Sequence, residues 1–70
     1  MFFVVLETQF DGTNYGILHT VYNDEVSAYA AMYTVLAAAA VSSLPYHSCF
    51  IMRDDGILID GKAFDRREAE

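Results

Sequence analysis

The sequence predicts an α+β domain of ββαββ order, with a four-stranded antiparallel sheet (order 2-1-3-4) and one helix packed on one face. Three observations predict it. Apolar residues alternate with a period of two at both ends of the chain. A capped apolar stretch of helical length lies between them and stops before Pro45. Turn residues cluster at Asp11-Gly12-Thr13-Asn14-Tyr15-Gly16 and at Asp54-Asp55-Gly56. A crossover through the helix then brings the third strand beside the first, antiparallel to it.

The first strand spans Phe2 to Phe10. Phe2, Val4, Leu6, Thr8 and Phe10 share one face, and Phe3, Val5, Glu7 and Gln9 the other. Its start is apolar on both faces, which suits a central strand. Phe3 and Val5 are expected on the face away from the helix, open to water or to a neighbour. The second strand, Ile17 to Tyr22, completes a hairpin.

Asn23 or Asp24 caps the helix, and acidic residues there favour the positive end of its dipole. The helix should run to about Val41 or Ser43, because Pro45 forces Leu44 toward an extended conformation. It is apolar nearly all round, ending in Val35-Leu36-Ala37-Ala38-Ala39-Ala40-Val41. A bulky stripe of Tyr29, Met32, Tyr33, Leu36 and Ala40 is expected on the sheet. A stripe of small side chains, Ala28, Ala31, Val35, Ala38 and Ser42, is left for a second copy.

The third strand spans Tyr46 to Arg53 and the fourth Ile57 to Phe64, with a break expected near Gly61. Gly56 suits the positive-φ position of the turn between them. Residues 1–64 form one domain, and residues 65–70 a charged tail expected to fray.

Size and composition point to self-association. A 70-residue chain buries little surface and needs disulfides, a metal or oligomerisation. Cys49 is the only cysteine and metal ligands are sparse, so a homo-oligomer, a dimer or higher, remains. The 54% hydrophobic content agrees. Phe3 and Val5 join the small helical stripe as its expected interface.

The net charge is −6, with Arg53, Lys62, Arg66 and Arg67 as the only arginine and lysine side chains. That excludes general nucleic-acid binding, which needs a basic face. A small anionic ligand or a basic protein partner stays open. Glu7 ends the apolar N-terminal run early and no basic residue precedes it, so a signal peptide is not expected. The alanine run is too short to span a membrane, and a cytoplasmic protein is the expectation.

Chemistry-bearing sets are thin. His47 and Cys49 share one face of the third strand, but zinc wants three or four ligands, and the strand order keeps His19 away. Their spacing along a strand, about 7 Å, is too long for a nucleophile–base hydrogen bond. Asp54, Asp55, Asp60 and Asp65 follow no calcium-loop pattern and fit turn chemistry. No enzyme, metal or cofactor is therefore expected. The best ligand-binding kit is the five tyrosines, Tyr15, Tyr22, Tyr29, Tyr33 and Tyr46, with Arg53, Lys62, Arg66 and Arg67, and Arg53 with Tyr15, Tyr22 and Tyr46 is the set expected to bind. Tyrosine offers a flat face and a hydroxyl, and arginine pairs with phosphate. Ser43 and His47 lie in the polar loop that follows the helix, where a cleft between subunits could form. Against this stand blander readings: tyrosines lining the core rim, and Arg53 paired with Asp54, Asp55 or Asp60.

The stretch Val35-Leu36-Ala37-Ala38-Ala39-Ala40-Val41-Ser42-Ser43-Leu44-Pro45-Tyr46-His47-Ser48 resembles a family of short, uncharacterised proteins encoded by phages and prophages of gut Firmicutes. The order of elements is also similar. Ser27 to Tyr33 carries less charge than that family's helix does. The resemblance implies an accessory protein acting in the cytoplasm of a bacterial host, of a kind that often blunts host defence. Three roles follow as expectations: sequestering a small anionic, nucleotide-like signal at subunit interfaces; inhibiting a host defence protein through an acidic surface; or serving as a structural or regulatory module without a ligand.

Overall fold

A computed structural model describes residues 1–67. Its elements are β1 (Phe3–Phe10), β2 (Tyr15–Tyr22), α1 (Glu25–Ala40), β3 (Tyr46–Arg53) and β4 (Leu58–Asp65). All strand pairs are antiparallel and the sheet order is β2-β1-β3-β4, as the crossover argument predicts. Among the described residues, no helix is long and apolar enough to cross a membrane.

Local chemistry explains the element ends. Asp11 Oδ1 accepts from the backbone N–H of Thr13 at 2.9 Å and of Asn14 at 2.8 Å, which tightens the first turn and lets β2 begin at Tyr15. Asp24 caps α1 by accepting from Ser27 N–H at 2.7 Å. At the other end Val41 N–H donates to Ala38 O and Ser42 N–H to Ala39 O, a tightened last turn. Gly56 takes φ +89°, and its N–H donates to Arg53 O at 2.9 Å.

β4 is not broken at Gly61. It runs through to Asp65, with an irregularity opposite Ile51 and Met52. The Phe50 ring lies directly over Gly61, where a Cβ would come within 2.6 Å of Phe50 Cγ and 2.7 Å of the Cys49 carbonyl. Gly61 is thus required by a close cross-strand approach, not by a chain break.

The core corrects two expectations about faces. Val5, Ala28, Met32, Cys49 and Ile51 form the buried cluster, with Phe3, Tyr22, Tyr29, Ala31, Val35, Leu36 and Ile59 packed against it. Phe3 and Val5 therefore face the helix. The open face carries Val4, Leu6, Thr8 and Phe10 instead. Glu7 and Gln9 share the helix side with Phe3 and Val5 and are half-buried beside His47.

The helix is also turned relative to expectation. Ala28, Met32, Val35 and Ala39 point at the sheet, a line that falls between the two predicted stripes. Ala28 is fully buried, and Ala31 and Val35 are half-buried and pack on the core of their own chain. Small Ala28 lets the helix backbone approach the strands, and Met32 fills the space beside it. Tyr33, Ala38 and Ala40 point outward, and Ser42 is half-buried. The outer side of α1 exposes Val26, Ala30, Tyr33, Ala37 and Val41, while Thr34 turns its hydroxyl back to Ala30 O at 2.9 Å. A helix apolar on every side carries no periodic signal for which side packs.

Residues 65–67 are anchored, where the sequence suggested fraying. Asp65 ends β4, and Arg66 N–H donates to Pro45 O at 2.6 Å. The rest of the expected tail, residues 68–70, lies outside the described residues.

Candidate functional site

Antiparallel pairing sorts the expected ligand set onto two opposite ends of the sheet. Phe10 is in register with both Tyr15 and Tyr46, whereas Phe3 is in register with both Tyr22 and Arg53. Seven residues of strand separate the ends, about 23 Å. Arg53 and Tyr22 therefore cannot share a site with Tyr15 and Tyr46 in one chain. Arg53 instead pairs with Asp55 of its own turn, where Nε donates to Oδ1 at 3.2 Å and Nη2 to Oδ2. That pair draws the Asp55 carboxyl below its usual range. The ion-pair reading holds for this arginine.

The Tyr15 end carries a different cation. Arg67 lies 4.7 Å above the Tyr46 ring, and its Nη1 donates to Tyr15 Oη at 3.4 Å. Tyr15 in turn stacks on Phe10 with ring centroids 4.4 Å apart. Arg67 also forms a forked pair with Asp65, at 2.9 Å and 2.8 Å, which holds that carboxyl at about 2. A hollow of about 190 Å³ opens beside Tyr15, lined by Gln9, Asp11, Asn14, Gly16 and Leu44. Sequence reasoning counted Arg67 among the candidate cations but set it behind Arg53, because it lay in the expected tail. Its signal was the end of the fourth strand beside Tyr46.

Arg66 does structural work. Its Nη2 donates to Ala39 O at 2.8 Å and Ala40 O at 3.1 Å, and Nη1 to Leu44 O at 3.3 Å. The last turn of α1 has no basic residue of its own. Arg66 supplies both the donors and the positive charge that a helix C-terminus lacks. The serines play a smaller part: Ser42 Oγ accepts from Leu44 N–H at 3.0 Å, and Ser43 is exposed.

His47 is buried under the helix side of the sheet. Its Nε2 lies 2.6 Å from Glu7 Oε2, and Gln9 Nε2 donates to the same oxygen at 2.7 Å. His47 Nδ1 is buried with no hydrogen-bond partner. Cys49 sits in register with Glu7, fully buried, and burial together with the nearby carboxylate pushes its thiol up to about 11. A thiol so held stays protonated, the opposite of an activated nucleophile. His19 projects from the other face of the sheet, so it does not converge with His47 and Cys49. Among the described residues no three His, Cys, Asp or Glu side chains are placed to hold a metal ion.

The largest chemical feature is the helix-free face of the sheet. Strand register places Val4, Leu6, Phe10, Ile17, Val21, Phe50, Met52 and Leu58 there, with Tyr15 and Tyr46 at one end. Ile17 is 63% exposed, Val21 53% and Leu58 58%. Asp65, paired with Arg67, is the only carboxylate among the strand residues of this face, and none of them is Lys or Arg. No family model, curated protein or solved structure matches this chain.

Proposed function

We propose that this chain is a non-catalytic accessory module that works as two or more copies joined through the helix-free face of the sheet. The observation that carries the reading is the charge distribution. The chain bears a net −6, yet the helix-free face of the four strands is mainly apolar, with Thr8, His19 and Ser48 among its polar residues and Asp65 as its one carboxylate. A second copy can approach there without meeting like charge. Four strands about 4.8 Å apart and about 27 Å long offer roughly 500 Å² each, or roughly 1,000 Å² over two copies. That reaches the lower bound of about 1,000 Å² for a specific interface. Two such faces stack about 10 Å apart, as in a sandwich.

Assembly of this kind turns the carboxylates of both copies outward. Asp24, Glu25, Asp54 and Asp55 gather at the end of the sheet where β1 begins, with Arg53 beside them. Such a unit suits occupation of a basic site on a host protein, the inhibitory role the phage-family resemblance implies. Sedimentation velocity tests the assembly. The unmodified protein should sediment as two or more copies at micromolar concentration. Phe50→Lys combined with Leu58→Lys, both on the open face and away from β2, should lower the number of copies. A folded single-copy species of the unmodified protein contradicts the reading.

One observation favours a second role, capture of a small anionic, nucleotide-like ligand. Arg67, Tyr15 and Tyr46 converge at one end of the sheet, where Tyr15 also borders the hollow, and a phosphate could displace Asp65 from the Arg67 fork. In this role Arg67 takes the place expected of Arg53. Calorimetry against linear and cyclic nucleotides tests it: binding should vanish in Arg67→Ala and survive in Arg53→Ala. No heat from any nucleotide in folded, assembled protein removes this role.

A further inference from the structure

We infer that the edge of β2 pairs, antiparallel and about a twofold axis at His19, with β2 of a second copy. The contact uses backbone groups at the side of the sheet. It therefore goes beyond the stacking of open faces and does not rest on it.

The two edges of this sheet are built differently. β4 carries Asp60, Lys62 and Asp65 and an irregularity in its register with β3. Charges and bulges are the usual devices that stop a strand edge from recruiting another chain. β2 has none of them. Its eight residues, Tyr-Gly-Ile-Leu-His-Thr-Val-Tyr, include no proline, aspartate, glutamate, lysine or arginine. Its register with β1 is unbroken from Tyr15 to Tyr22. One row of backbone N–H and C=O groups faces β1, and the other row faces outward. β2 is also bare on both faces: Leu18, on the helix side, is 61% exposed, and Ile17, on the open side, 63%. A lateral neighbour would flank both sets of side chains at once.

The strand sequence favours its own copy as that neighbour. Opposed residues in antiparallel pairing share a face, so a twofold axis perpendicular to the sheet must pass between a residue and the same residue of the second copy. With the axis at His19, Ile17 faces Val21 of the second copy, Leu18 faces Thr20, and Gly16 faces Tyr22. Each of these pairs occurs twice. Ile17 with Val21 joins two exposed apolar side chains on the open face. Gly16 with Tyr22 sets an aromatic ring opposite a glycine, the arrangement the chain already uses at Phe50 and Gly61. The paired imidazoles at the axis can donate to and accept from one another. No like charges from Asp, Glu, Lys or Arg meet across the seam, although each chain carries −6. The product is a continuous eight-stranded sheet with both helices on the same side, and its open faces remain free to stack.

Disulfide trapping distinguishes this seam from face stacking. Opposed residues across an antiparallel pair have Cα atoms about 4.5–5.5 Å apart, within disulfide reach, whereas stacked sheets lie about 10 Å apart, beyond it. In a Cys49→Ala background, His19→Cys should oxidise to a covalent dimer under mild oxidation. Leu18→Cys alone and Thr20→Cys alone should not. A mixture of those two should give the 18–20 cross-linked heterodimer. Ala63→Cys, on the guarded edge, serves as the control. Absence of a His19→Cys cross-link in protein that circular dichroism shows to be folded overturns the inference. So does cross-linking of Ala63→Cys at an equal rate.

Discussion

Arg66 holds the carbonyl oxygen of Ala39 at 2.8 Å, so the residue that follows β4 closes the end of α1. The contact ties α1, the loop through Leu44 and the end of β4 into one unit. Arg66→Ala should free the carbonyls of Ala39, Ala40 and Leu44 together. The expected loss is about 1 kcal/mol in urea unfolding, with faster amide exchange at Val41 and Ser42. Arg66→Lys should recover only part, because ammonium lacks the planar fork. Unchanged stability and exchange in Arg66→Ala would remove this role.

The buried Glu7–His47 pair should behave asymmetrically. Glu7→Ala strips His47 Nε2 of its partner while Nδ1 already has none. A loss on the order of 3 kcal/mol is expected. Replacing both, Glu7→Leu with His47→Leu, should cost far less, because no orphan polar group remains. A double-mutant cycle by chemical denaturation measures the difference, and strict additivity would contradict the account.

Much of the fold was legible from sequence, and the parts that were not share a cause. Period-two alternation, the Asp24 cap and Pro45 locate the elements within a few residues. The crossover rule then gives the sheet order. The face of β1 was ambiguous because Phe2 to Leu6 is apolar on both sides. Glu7 does not resolve the ambiguity, since its buried partner, His47, lies forty residues away. The rotation of α1 was hidden by its uniform apolarity. The split of the ligand set could have been read from the predicted strand order, which already places Tyr15 and Tyr46 opposite Tyr22 and Arg53. The job of Arg66 could not, because a charged C-terminal run looks solvated whatever it binds.

Gly61→Ala should be costly for a stated reason. The added methyl group meets the Phe50 ring and the Cys49 carbonyl, at a φ of +154° that side chains rarely adopt. Roughly 2 kcal/mol or more is expected. Phe50→Ala in the same chain should return part of it by opening the space. Thermal unfolding of the three variants is the check, and an unchanged midpoint for Gly61→Ala would contradict the close approach.

Acid should weaken the fold through its capped carboxylates. The Ser27 N–H lowers Asp24, the Asn14 N–H lowers Asp11, and Arg67 holds Asp65 at about 2. Each is more acidic folded than unfolded. Their stabilisation is therefore full above the unfolded carboxylate value of about 4 and is lost as pH falls toward 2. Asp24→Asn should flatten that dependence while keeping a cap. A stability that rises between pH 4 and pH 2 would contradict the assignment.

Cys49 should be inert while the chain is folded. It is fully buried and its thiol sits at about 11. Thiol reagents should label it only as fast as the protein opens, and Cys49→Ala should cost roughly 1 kcal/mol of packing. Rapid labelling of native protein would show the strand to be exposed.

The central claim is that the helix-free face meets the same face of another copy. Isotope-filtered NMR on a mixture of labelled and unlabelled protein tests it most directly. Contacts should appear between copies at the side chains of Leu6, Phe50 and Met52, which lie on the inner strands, and none at Met32 or Ile51, which the helix side encloses. An absence of contacts between copies at Leu6, Phe50 and Met52, in protein concentrated well above the micromolar range, would contradict the claim.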